Sequence, residues 1–113
     1  MTGDRLRAIV AGPDEHDLGA ALEARDVEVS RIGDAVTTSE LEAAGIESAD
    51  YLVLTDVEEA TGIAVAKDLN PDVVAVTYSE RSLPEFVAAV ADLAVDPALL
   101  DADAVAEELT ADD

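Results

Sequence analysis

Cysteine and tryptophan are absent from the 113-residue chain, and only three residues are aromatic. Without thiols there is no disulfide framework and no thiolate metal site. Without large rings, the core has to be filled by Val, Leu, Ile and Ala, in many small pieces. Basic residues are scarce as well. Six Lys and Arg stand against 27 Asp and Glu, a formal charge of −21, and Lys67 is the only lysine. A field of that sign repels duplex DNA and anionic membrane. No apolar run approaches the ~20 residues of a membrane span, and the opening MTGDRLR lacks the apolar stretch of a signal peptide. These absences predict a cytoplasmic chain without nucleic-acid partners and without direct membrane insertion.

Half of the residues are nevertheless apolar, which a disordered acidic chain would not be. The acids are scattered between apolar positions, so the composition describes an acidic shell around an ordinary core. Self-repulsion in such a shell needs concentrated salt to screen it, the Debye length being about 3 Å at molar ionic strength. This is the composition expected of a cytosolic protein from an extreme halophile of the archaeal type. The length suits one domain over residues 1–113, burying roughly two thirds of its extended surface, with 1–4 and 110–113 frayed.

Short apolar runs alternate with helical patterns. Strands are expected in RLRAIVAG (5–12), VEVSRI (27–32), YLVLT (51–55), DVVAVTYS (72–79) and DLAVD (92–96). The alternation of Val27 and Val29 with polar neighbours suits an edge strand, and the unbroken run 51–55 a central one covered on both faces. Helices are expected in 18–25, 37–45, 55–71, 82–90 and 97–109. Their punctuation agrees: Thr37 or Thr38 as cap, Gly45 past an end, the Thr55 to Glu58 capping box, Asn70-Pro71 as a stop, and Ser82 before Pro84. In the last helix Asp96 serves as cap, Leu99, Leu100, Val105 and Leu109 form an apolar stripe, and Asp101 can divide it. Strand–helix alternation at this spacing predicts a three-layer, Rossmann-like, doubly wound parallel sheet of order 2-1-3-4-5. Ligands of such sheets sit beyond the carboxyl ends of the strands, at the switch point between the first and third. Gly12 to Asp17, Gly33-Asp34, Thr55-Asp56 and Thr77 to Ser79 would surround that crevice.

The turn within IVAGPDEHDLGAAL (9–22) is the chemically informative stretch. Gly12 can make the tight turn, and the following helix end offers N–H groups and partial positive charge, favourable to an anion by roughly 0.3–1 kcal/mol. Asp14, Glu15 and Asp17 lie at the same spot, each costing an incoming anion on the order of 1 kcal/mol even in a watery dielectric. The turn is therefore expected to bind NAD(H) or ATP weakly or not at all, with Asp14 or Glu15 capping the helix or the acids loosely holding cations. His16 reads as a surface residue, and Tyr51 and Tyr78 as core or crevice wall. Ser30, Thr77, Ser79 and Ser82 have no base beside them in the pattern, so the chain reads as non-enzymatic, with no catalytic residue and no metal site to name.

From GDAVTTSELEAAGIESADYLVLT onward, through EEATGIAVAKDLNP and the tail LAVDPALLDADAVAEEL, the chain resembles the N-terminal nucleotide-binding domain of the TrkA/RCK family, which regulates potassium channels and transporters. The resemblance covers most of residues 6 to 109. It implies a ligand-sensing regulatory domain, a homodimer, an ion-transport partner protein, and NAD or ATP as cofactor, held by Gly12, Gly19, Asp34, Thr55 and Asp56. Two features depart from the family. Its G-x-G-x-x-G turn is here reduced to Gly12 and Gly19 at wider spacing, with Pro13 and Asp14 where the second glycine would let pyrophosphate approach. The helix and strand that usually precede Gly33-Asp34 are missing, which leaves Asp34 as the nearest candidate for a ribose-binding acid. The alternatives are a receiver-like interaction module or a structural domain without a small ligand. In a receiver, Asp56 would accept phosphate and Asp14-Glu15 would hold Mg²⁺, but the strand ending in AVDP brings no lysine.

Overall fold

The computed structural model describes residues 6–12, 14–33, 37–55, 62–79 and 91–110. Five strands, β1 (Arg7–Ala11), β2 (Glu28–Ile32), β3 (Tyr51–Leu54), β4 (Val74–Tyr78) and β5 (Leu93–Val95), form one sheet. Every pairing is parallel and the order is β2-β1-β3-β4-β5. This is the α/β architecture and strand order that the sequence predicts. The register is set by apolar runs, with Ile9 opposite Leu52 and Val10 opposite Val53.

Because successive strand residues point to opposite faces, each central strand feeds two cores. Ile9, Ala11, Leu52, Leu54 and Ala75 face one side, while Ala8, Val10, Val53, Val76 and Tyr78 face the other. The first side is covered by α2 (Thr38–Ala44), a 3₁₀ turn at Ile46–Ser48 and α3 (Gly62–Leu69). The second is covered by α1 (Leu18–Glu23) and α4 (Ala102–Thr110). Three layers result, and both faces of β1 and β3 are buried, which explains why their sequences are continuous rather than alternating. At the edge, β2 keeps Ser30 half-buried and Arg31 exposed.

The helix signals are realised locally. Thr37 Oγ1 accepts from the Glu40 N–H at 3.2 Å, and Gly45 closes α2 with φ 88°. Asn70 ends α3 and does more than stop it: its side-chain amide donates to the carbonyls of Ile46 (2.8 Å) and Ala49 (3.0 Å), while its Oδ1 accepts from the Asp72 N–H (3.0 Å). Glu58, the far end of the capping box expected from Thr55, and the expected helix 82–90 lie outside the described residues.

The expected apolar stripe over 97–109 is corrected. Residues 97–100 form a turn and α4 begins only at Ala102, because Asp101 caps it: its Oδ1 accepts from the Ala104 N–H at 2.8 Å and its carbonyl from the Val105 N–H at 3.1 Å. Val105 and Leu109 are buried, whereas Leu99 and Leu100 are exposed. The stripe is thus divided between the core and the surface. No helix among the described residues is long and apolar enough to cross a membrane.

Candidate functional site

Beyond the carboxyl ends of β1, β2 and β3 the chain makes the crevice where ligands of this architecture collect. Gly12 stands at its centre with φ 97°, a conformation that L residues adopt only at a cost, and its N–H donates to the Ile32 carbonyl at 3.1 Å. Thr55 follows β3, and both its N–H (3.0 Å) and its hydroxyl (3.1 Å) donate to the Ala11 carbonyl. The crevice floor is therefore knitted to itself: β1 is joined to β2 through Gly12 and to β3 through Thr55. Asp34 and Asp56, also expected here, lie outside the described residues.

The acidic turn decides what the crevice can accept. Asp14 Oδ1 accepts from the Leu18 N–H at 2.8 Å, and Oδ2 from the Gly19 N–H at 2.8 Å. Those two N–H groups open α1, where an anionic ligand would seek them. A third donor arrives from β2: Arg31 Nη1 reaches Asp14 Oδ2 at 3.1 Å, and Nη2 lies 3.9 Å from Glu23 Oε1. Only 11% of the Asp14 side chain remains exposed. The chain's own carboxylate, paired with its own guanidinium, occupies the first two N–H groups of α1. Asp17, at the N-cap position with φ 60°, makes no side-chain capping bond, and Glu15 is exposed. Of the two acids expected to cap the helix, Asp14 does so.

Gly19, second in α1, leaves room for a side chain from the neighbouring strand. A Cβ built on it would lie 2.6 to 2.9 Å from the Arg31 guanidinium, so the missing side chain gives Arg31 its path across the helix to Asp14. Arg31 is the site residue that the sequence reading missed. It lies on an edge strand seventeen positions from Asp14, and only the parallel β1–β2 pairing, Val10 opposite Arg31, brings it to the turn.

Next to the turn, the His16 and Tyr78 rings meet edge to face with centroids 5.7 Å apart. The Tyr78 hydroxyl donates to the Leu100 carbonyl at 2.9 Å. Burial pushes the phenol pKa above its ordinary value, and the nearby charges of Asp101 and Asp14 push it the same way. Between α1 and α4 lies an open cleft of about 410 Å³, floored by Ala20, Ala21 and Ala24 and rimmed by His16, Asp17 and Asp101. Among the described residues, no three His, Asp or Glu side chains are grouped to hold a metal ion. Both Asp14 oxygens are committed to α1 and Arg31, and beyond β5 the Asp96 carboxylate accepts from the Ala98 N–H at 2.8 Å.

A protein-family model described as a family of unknown function, DUF7126, matches residues 8–109. The chain belongs to DUF7126. None of the curated proteins matches it. Among solved structures, this DUF7126 chain is similar to an orphan response regulator of H. pylori, with a TM-score of 0.73 and 13% identity over 96% of this chain and 98% of that one. It is similar to a CheY-like receiver domain protein from Methanospirillum hungatei, with a TM-score of 0.68 and 19% identity over 96% and 93%. It is also similar to the TrkA-N domain of the inner membrane protein ybaL from Escherichia coli, with a TM-score of 0.65 and 20% identity over 87% and 92%. At these identities the likenesses establish the fold that the DUF7126 chain shares with both groups, and they do not single out the TrkA-N resemblance.

Proposed function

We propose that the chain is a non-enzymatic regulatory domain whose nucleotide turn is closed by its own Asp14, and which acts through contact with other proteins rather than by sensing NAD or ATP. The observation that carries this reading is the Asp14 carboxylate on the Leu18 and Gly19 N–H groups, at 2.8 Å each, with Arg31 across it. A nucleotide phosphate would have to displace an anion tethered a few residues away, and then meet Glu15 and Asp17 as well. On the TrkA/RCK resemblance, Gly12, Gly19, Thr55, Asp34 and Asp56 would be the remnants of a nucleotide site, and an ion-transport protein would be the partner. A homodimer remains the expected assembly on that resemblance.

Calorimetric titration with NADH and with ATP in about 1 M KCl, where the Debye length falls to about 3 Å, tests the proposal. The expected result is no measurable heat of binding. Micromolar or tighter binding that is lost in Gly12→Val would overturn it and restore a working nucleotide site. A receiver-like module is the second reading, favoured by the likeness to two receiver structures and by the β2-β1-β3-β4-β5 order. Mg²⁺-dependent phosphorylation of Asp56 by acetyl phosphate, absent in Asp56→Asn, would select it.

A further inference from the structure

Three large apolar side chains stand exposed among the described residues: Leu93 at 38%, Leu99 at 81% and Leu100 at 42%. All three belong to the last strand of the sheet and the turn that follows it. A single exposed leucine needs no explanation, but a group of them does. The turn is not a loose one. The Asp96 carbonyl accepts from the N–H groups of Leu99 (2.8 Å) and Leu100 (3.1 Å), the Asp96 carboxylate holds the Ala98 N–H, and the buried Tyr78 donates its hydroxyl to the Leu100 carbonyl. The backbone that presents Leu99 to solvent is therefore held by hydrogen bonds, which lowers the ordering cost of using the residue as an anchor.

The charge around these leucines restricts what can cover them. Asp96 and Asp101 flank the turn, and residues 91–110 hold six acids and neither Lys nor Arg; of these acids Asp92, beside Leu93, is paired with Lys67 from α3. A second copy would set these carboxylates against themselves. Nucleic acid would be repelled in the same way. A segment with apolar side chains flanked by Lys or Arg satisfies both the leucines and the acids. We propose that the β5 margin, Leu93 with the Leu99-Leu100 turn, is a docking surface for a basic, apolar segment of another protein. This rests on the reading of the chain as an interaction domain.

The test uses the full chain, in about 0.5 M KCl to suppress purely electrostatic association, with two synthetic peptides: an amphipathic Leu/Lys helix, and its companion with every Leu replaced by Ser. The Leu/Lys peptide is expected to bind wild type roughly tenfold or more tighter than it binds Leu99→Ser/Leu100→Ser, a difference of about 1.4 kcal/mol. Amide NMR shifts are expected to concentrate at residues 93–100. A separate Leu93→Ser variant is expected to weaken binding too, and unchanged melting temperatures show that the variants fold. Equal affinity for the two proteins, equal affinity for the two peptides, or shifts confined to other surfaces overturn the proposal. So does concentration-dependent dimerisation that Leu99→Ser abolishes while the peptide fails to bind, which would make a second copy the occupant. None of these outcomes depends on NADH or ATP binding, so failure here is distinct from failure of the interaction-domain reading.

Discussion

Gly12 and Gly19 belong to one turn, yet a methyl group added to each meets a different obstacle. At Gly12 the obstacle is the backbone: φ is 97°, and an L side chain held there costs about 1–2 kcal/mol. At Gly19 the obstacle is the tip of a flexible side chain, the Arg31 guanidinium at 2.6 Å, which is half-exposed and can swing into solvent. Its departure forfeits an ion pair worth about 0–1 kcal/mol, while alanine inside a helix regains about 1 kcal/mol over glycine. Urea unfolding is therefore expected to show a clear loss of stability for Gly12→Ala and a change within about 0.5 kcal/mol for Gly19→Ala. An equal loss at both positions would mean that Arg31 cannot leave. Asp14→Ala removes the acceptor of two helix N–H groups and is expected to cost about 1–2 kcal/mol. It should cost more than Glu15→Ala, although the sequence offers both as caps.

Two polar side chains hold elements together away from the crevice. Lys67, the only lysine, donates from α3 to the Val73 carbonyl at 2.7 Å and to Asp92, whose Oδ2 also accepts from the Ala75 N–H of β4 at 2.8 Å. The Ala75 hydrogen bond, with the Lys67 contact second, holds the Asp92 carboxyl below its ordinary 3.8. As pH falls through that value, the unfolded chain takes up the proton first, so the stabilisation is complete above 3.8 and is lost below it. The stability difference between wild type and Asp92→Asn is therefore expected to shrink as urea midpoints are followed from about pH 5.5 to below pH 3. A constant difference would remove Asp92 from the clip. Asn70 joins the end of α3 to the Ile46–Ser48 turn through two donors. Asn70→Asp replaces its donating amide with an oxygen facing two carbonyls, and is expected to destabilise by more than Asn70→Ala, itself about 1–3 kcal/mol. These clips show which part of the fold was legible in the sequence. The strands, their order and the caps at Thr37 and Gly45 follow from local pattern and from rules of connection, so they could be read. Arg31 on Asp14, Lys67 on Asp92 and Asn70 on Ile46 depend on register and crossover geometry that no window of sequence contains. The final helix is shorter than its apolar pattern for a local reason, the division at Asp101 that the sequence allows: Asp96 and Asp101 both cap, and two caps five residues apart cut one pattern into a turn and a helix.

For the molecule as a whole, the decisive quantity is the imbalance of 27 acids against six bases. Arg7, Arg31 and Lys67 pair with Glu28, Asp14, Glu23 and Asp92, and even complete one-to-one pairing of all six cations would leave most carboxylates facing one another. Exposed like charges repel over a Debye length, about 10 Å at 0.1 M salt and about 3 Å at 1 M. At low salt each carboxylate feels many others, and at molar salt it feels only its nearest neighbours. The folded state concentrates these charges more than the unfolded chain does, so screening favours folding. The core opposes the repulsion with Val, Leu, Ile and Ala and a single buried tyrosine among its largest side chains, and salts excluded from the surface strengthen that burial as well. Thermal midpoints are accordingly expected to rise markedly from about 0.1 M to about 2 M KCl, with most of the rise complete once the Debye length falls below the spacing of neighbouring carboxylates. A chaotropic potassium salt at the same ionic strength separates the two causes, because it screens equally but weakens apolar burial. If repulsion dominates, it should reproduce the early part of the rise below about 0.5 M, before the curves diverge. Equal midpoints at low and high KCl would refute the reading of the chain as a halophile's protein and would require the acids to be paired or protonated in the fold.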